Sequence, residues 1–181
     1  TYSNYALVIQ GINSVLKKDL KKNLVNNAAI LLTLMTKSKI DTHVSLIYSH
    51  NLLNYGFWHQ QLLAESIGKN GKDFTPIISE CPKDHHSSMQ LYLGGKRNKF
   101  FTFFKTINNK IDQPITDYFD QKLKKSSLDN IVDAQFNATI NVFKKSLIPF
   151  RVILIDQKKP IQSFISLLVY SMFETAILCK A

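Results

Sequence analysis

Cysteine and arginine are both scarce in this chain of 181 residues, and each scarcity closes off a class of protein. Cys81 and Cys179 stand far apart with no framework spacing, which excludes a disulfide-stapled scaffold. Both are expected to be reduced, buried thiols of a cytosolic protein. Arg97 and Arg151 are the only arginines, so the formal charge of +10 is carried by lysine, spread in pairs such as Lys17-Lys18, Lys21-Lys22, Lys124-Lys125, Lys144-Lys145 and Lys158-Lys159. Dispersed lysine reads as a solvated surface, so no nucleic-acid partner is expected. A positive field still helps to attract a phosphorylated substrate.

Other absences narrow the chemistry. No Gly-x-Gly-x-x-Gly occurs, and Gly68-Lys69 and Gly71-Lys72 lack the spacing and the following Ser/Thr of a phosphate-binding P-loop. No serine or cysteine sits in a nucleophile turn. Cys81 with His85 and His86 lacks a fourth ligand, so no metal is expected. There is no internal repeat, no long linker and no basic-apolar leader. The run from Ile161 to Cys179 has the length of a membrane span, but Gln162 and Glu174 interrupt it and Pro160 marks a helix start. A buried helix packed on a sheet is expected there, and no membrane.

What is present is an alternation of helix and strand. The patterning predicts helices over 4–18, 26–37, about 51–66, 84–93, about 127–145 and Pro160 to Cys179. Strands are predicted over 43–48, 99–105 and 150–155. Gly68, Gly71 and Pro76 read as a loop, and a polar Asp/Gln/Lys segment precedes the fifth helix. The run Lys99-Phe100-Phe101-Thr102-Phe103-Phe104-Lys105 is aromatic on both faces, as a strand buried on both sides would be. The fold class is α/β: a doubly wound, mostly parallel sheet flanked by helices, in a single domain. Ligands in such folds settle at the carboxyl ends of strands beside helix N-termini, which points to Asp84 and to the loop after Ser66.

The residues with chemistry to offer cluster there. Glu65 lies four residues after Gln61 and seven after Trp58, so the three share a helical face. Asp84 suits an N-cap, and His86 and Gln90 follow one turn apart. Glu65 and His86, on two helices joined by a loop, are expected to act as an acid/base pair on a polyhydroxyl substrate, with the carboxylate gaining basicity in a partly dry site.

Trp58-x-x-Gln61-Leu62-x-x-Glu65-Ser66-x-Gly68-Lys69, then Thr75-Pro76-Ile77 and His86-Ser87-x-x-Gln90-Leu91, resemble the heart of the glucose-6-phosphate isomerase family. Ala28–Leu32, Tyr48-x-x-x-Leu52 and Phe173-Glu174-Thr175-Ala176 extend the likeness along essentially the whole chain. The resemblance implies that 1–181 is the second sugar-isomerase (SIS-type) domain and the region after it, truncated at both ends, in an enzyme that interconverts glucose 6-phosphate and fructose 6-phosphate through a cis-enediol. It implies Glu65 as the base, His86 as the group assisting ring opening and Gln61 as a substrate-binding residue, with no metal and no organic cofactor. It further implies a cytoplasmic homodimer in which the histidine reaches the neighbouring subunit's pocket, so an isolated fragment is expected to be inactive. Where the family has Gln before its histidine, this chain has His85, and His86 keeps Ser87 and Gln90 in step. A binding-only sugar-phosphate module and a basic nucleic-acid module remain the alternative readings.

Overall fold

The computed structural model describes residues 2–68, 74–108 and 127–180. Helices α1 (Tyr2–Val15) and α2 (Lys18–Lys37) precede strand β1 (Thr42–Ile47). A short 3-10 turn, His50–Leu52, leads into α3 (Leu53–Ile67), followed by β2 (Thr75–Glu80), α4 (His85–Gly94) and β3 (Lys99–Ile107). The chain continues through α5 (Leu128–Lys145), β4 (Phe150–Asp156) and α6 (Pro160–Lys180). The strands pair in parallel in the order β2-β1-β3-β4. This is the expected doubly wound α/β class. The polar segment read before α5 lies outside the described residues.

Side chains sort by strand parity into two cores. Val44 and Leu46 of β1 and Tyr48 just after it join Phe101 and Phe103 of β3 against Tyr92 of α4 and Phe136 and Phe143 of α5. On the other face Ile47, Phe104 and Ile155 meet Tyr55 of α3 and Leu167 of α6. A third cluster closes the N-terminal edge of the sheet, where Ile40, Phe74 and Phe100 pack with Leu31, Leu178 and Ile67. β3 is therefore buried on both faces, as its aromatic run predicts: Phe103 and Phe104 have no exposed surface.

Strand β2 corrects the loop expected around Pro76. Thr75 N donates to Asp41 O and Cys81 N to Ile47 O, so the odd-numbered residues face β1. Pro76 therefore turns its donor-less nitrogen to the free edge, the one place where a sheet loses nothing by it. The Pro76 carbonyl is taken up by Gln60 Nε2 at 2.9 Å.

Helix α6 corrects a second expectation. It is long and apolar enough to cross a membrane by length and composition, yet only a third of its most apolar window is buried. Leu167, Ser171, Glu174, Thr175 and Leu178 form its buried stripe, while Ile161, Phe164, Met172 and Phe173 stay exposed. Gly11 of α1 allows the closest helix contact, since a Cβ there would come within 2.9 Å of the Gln162 carbonyl. Cys81 is buried as expected, whereas Cys179 is exposed at the end of α6.

Glu174 interrupts the apolar helix because it has a partner. Arg151 of β4 grips it with two hydrogen bonds, Nη1 to Oε1 at 2.5 Å and Nη2 to Oε2 at 2.8 Å. Breaking such a pair from one side strands a buried charge, at a cost of about 3–5 kcal/mol. Arg151→Met is expected to lose stability on that scale in urea denaturation, and Arg151→Met with Glu174→Leu to recover much of it.

Two buried histidines add an acid sensitivity. His43 Nε2 lies 2.7 Å from Thr102 Oγ1, and the His43 and His59 rings meet edge-on with centroids 5.8 Å apart. Burial, with Arg151 nearby, pushes His59 down to about 3, and burial also pushes His43 well down. Both are neutral in the folded chain and take up protons when unfolded. Stability is therefore fully present above the unfolded pKa of about 6.5 and falls as the pH drops below it. On account of His59 alone, the protein is expected to be about 2 kcal/mol less stable at pH 5 than at pH 7. His59→Phe is expected to flatten that dependence, read from denaturation midpoints at the two pH values.

Candidate active site

Helix α3 carries the carboxylate. Gln61 Nε2 donates to Glu65 Oε1 at 2.8 Å, one helical turn apart, and both side chains are exposed. Trp58 belongs to the same face but is half-buried, tilted against Tyr55 at a centroid distance of 5.8 Å. Gln61 thus holds one oxygen of Glu65, and the other has no hydrogen-bond partner among the described residues. The partly dry site expected for Glu65 is not formed among the described residues, where its side chain is exposed. Gly68 caps the helix through its N–H to Ala64 O, and Lys69 lies outside the described residues.

Helix α4 carries the histidines. Asp84 occupies the N-cap position as expected, but its side chain makes no capping bond to the helix. Its Oδ2 instead accepts from Glu80 N at 2.7 Å, closing the turn between β2 and α4. His85 turns inward, with Nε2 at 2.8 Å from the Tyr48 hydroxyl, while His86 and Gln90 are exposed. Beside this turn Glu80 pairs with Lys83 at 3.0 Å and approaches His50 at 3.4 Å. Those two neighbours hold the Glu80 carboxyl below the usual carboxylate range.

The two groups sit at opposite edges of the sheet. Ile67, two residues after Glu65, packs in the N-terminal-edge cluster with Ile40, Phe74 and Phe100. His86 follows the carboxyl end of β2, where Cys81 N bonds Ile47 O at the end of β1. Six residues of β2 lie between them, a rise of about 16 Å. The sequence pattern predicts only a loop between the two helices; the intervening strand prevents a direct hydrogen-bonded pair within one copy.

A groove of about 460 Å³ lies elsewhere, along the free edge of β4 between α2 and α6, lined by Asn23, Asn27, Gln162 and Tyr170 among others. None of Gln61, Glu65 and His86 reaches it. The buried network of Arg151, Glu174, Thr102 and His43 was also missed. The signal for it was present: one of only two arginines in a strand, and one acid in an apolar helix.

No family model matches the chain. A probable glucose-6-phosphate isomerase of Methanococcus maripaludis is 32% identical over 174 residues, covering 94% of this chain and 40% of that protein. The glucose-6-phosphate isomerase of Methanocaldococcus jannaschii is 32% identical over 142 residues, covering 77% of this chain and 35% of that protein. The chain belongs to the glucose-6-phosphate isomerase family. It spans two fifths or less of these relatives' length, 40% and 35%. The fold is shared with a hypothetical protein of Thermus thermophilus at a TM-score of 0.80 and 22% identity, over 95% of this chain and 44% of that one. The isomerase likeness thus rests on relatives that align over most of the chain, beyond the Glu65 helix alone.

Proposed function

We propose that residues 1–181 act as the second sugar-isomerase domain, with the region after it, of a cytoplasmic enzyme that interconverts glucose 6-phosphate and fructose 6-phosphate. The observation that carries the reading is the Gln61–Glu65 pair: a carboxylate held by a hydrogen bond of 2.8 Å, open to a ligand, in a chain related to isomerases along most of its length. Glu65 takes the proton from C2 of the open-chain aldose and returns it to C1 of the cis-enediol, and the reverse reaction runs the same way. His86 assists opening of the sugar ring, an exchange that imidazole suits near neutral pH. Gln61 binds substrate as well as orienting Glu65. The chemistry is acid/base chemistry supplied by side chains, without a metal or organic cofactor.

The separation of Glu65 from His86 supports a homodimer in which a histidine serves the pocket of the neighbouring subunit. A second copy that brings its own C-terminal sheet edge to the Glu65 face would complete the pair and exclude water from it. The lysine-rich surface, at a formal charge of +10, favours encounter with a phosphorylated sugar.

In the full-length enzyme, Glu65→Gln is expected to abolish solvent proton exchange at C2 while leaving substrate affinity within a few-fold, as measured by deuterium incorporation and binding. Retained exchange would exclude Glu65 as the base. The 181-residue chain by itself is expected to show negligible turnover in a coupled isomerase assay, and normal turnover would overturn the reading of it as an incomplete part of the enzyme.

A further inference from the structure

The C-terminal edge of β1 holds a contact that the proposed chemistry does not use. Tyr48, directly after β1, is 4% exposed and wedged between Phe103, stacked at 5.9 Å, and Phe136, edge-on at 5.0 Å. Its backbone N–H is bonded to Phe104 O at 2.9 Å, so the ring is fixed to the two central strands. From this anchor the hydroxyl reaches His85 Nε2 at 2.8 Å, with the rings edge-on at 5.5 Å. His85 is the first residue of α4, and His86 is the second.

We propose that His85 is a positioning residue for His86: its hydrogen bond to Tyr48 clamps the first turn of α4 to the end of β1 and so sets the direction in which His86 projects. The role rests on the isomerase reading above and deepens it. At 3.6 residues per turn, holding His85 inward rotates its neighbour by about 100° around the helix, and His86 is exposed as that rotation requires. The clamp takes the place of the missing cap, since Asp84 is engaged with Glu80 N.

The direction of the bond follows from its surroundings. Burial raises the Tyr48 phenol, so the hydroxyl keeps its proton and donates it. The imidazole nitrogen is a better acceptor than the neighbouring Cys81 thiol or the Thr139 hydroxyl, which itself donates to Gln135 O. With Tyr48 donating to Nε2, the imidazole carries its own proton on Nδ1. Burial lowers His85 and the adjacent Asp84 opposes that shift. The other titratable groups around the pair are Glu80 with Lys83 and His50 at the turn, and His86 on α4 itself. Across Phe136 of α5, Lys105 of β3 lies over the ring and pairs with Asp133. Protonating His85 makes Nε2 a donor, reverses the bond and sends the Tyr48 proton to a weaker acceptor. A glutamine at 85, the residue at the matching place in the family pattern, offers an oxygen to Tyr48 and does not titrate.

The test uses the full-length enzyme with Tyr48→Phe, His85→Ala and His85→Gln, assayed with glucose 6-phosphate across about pH 5.5–9, alongside ¹⁵N spectra of the imidazoles. Tyr48→Phe and His85→Ala are expected to lower kcat about tenfold with KM within about twofold, the scale of a small misplacement of a reacting group. His85→Gln is expected to recover most of that loss and to move the acid limb of kcat to lower pH. The parent spectrum is expected to show His85 protonated on Nδ1 alone. His85→Gln as slow as His85→Ala, or all three variants equal to an active parent, would overturn the positioning role, as would a His85 protonated on Nε2 at neutral pH. If Tyr48→Phe fails to fold, the two His85 variants and the spectrum decide. A parent with no isomerase activity would sink the functional reading itself, a result separate from any difference among variants.

Discussion

In a parallel sheet, each strand must be followed by a helix that carries the chain back across the full height of the sheet. That return path governs everything about the candidate site. α3 leaves the carboxyl end of β1 and delivers Glu65 to the opposite edge, and β2 then carries the chain forward again before His86 appears. Twenty-one residues of sequence separation look like proximity, but they contain one complete reversal. No rearrangement of side chains brings the two groups together while β1 and β2 stay paired over Thr42–Ile47 and Thr75–Glu80. Among the described residues, the fold therefore presents Glu65 and His86 at opposite ends of the sheet.

The sheet is held by a polar skeleton inside an aromatic core. Thr102 of β3 is its hub: Arg151 Nε donates to Oγ1 at 3.0 Å, and His43 Nε2 lies 2.7 Å from the same oxygen. A guanidinium only donates, so the threonine oxygen accepts from Arg151, and burial keeps His43 neutral beside it. Through Arg151 the hub continues to Glu174, tying β1, β3, β4 and α6 in one chain of hydrogen bonds. The aromatic packing around it, including Phe100 beneath the Arg151 guanidinium at 5.8 Å, makes each member costly to replace alone.

How much of this was readable in the sequence depends on whether the deciding information was local. The double-sided burial of Phe100–Phe104 was legible because four aromatics in a strand leave no face for water. The later helices were legible from periodicity, and Pro160 marked the start of α6, whereas α2 begins at Lys18 and not at the expected position 26. β2 was hidden because Pro76 is harmless only at a free edge, and which strand is at the edge is a property of the whole sheet. Asp84 had the chemistry of a cap, but a competing donor at Glu80 N took its carboxylate. The roles of His85 and His86 could be separated only once Tyr48 was placed, since neighbouring identical residues differ by nothing but their angle around a helix. For the Glu65 face the sequence was legible as far as residue identity and spacing, and the Gln61 bond follows from that spacing. Exposure did not, because it depends on what packs around the face and not on local spacing.

That last point bears on how such a site could have its reactivity regulated. A carboxylate in contact with water shares its hydrogen bonds with solvent, and it becomes a stronger base when those are withdrawn. In this chain the Glu65 side chain is exposed and its one protein hydrogen bond among the described residues comes from Gln61 on the same helix. The helix therefore orients the group without drying it. Exposure keeps the carboxylate well hydrated, where a buried unpaired charge would oppose folding. The stable interior is built instead on charges that are paired, as Arg151 and Glu174 are, so the fold does not depend on the site being complete.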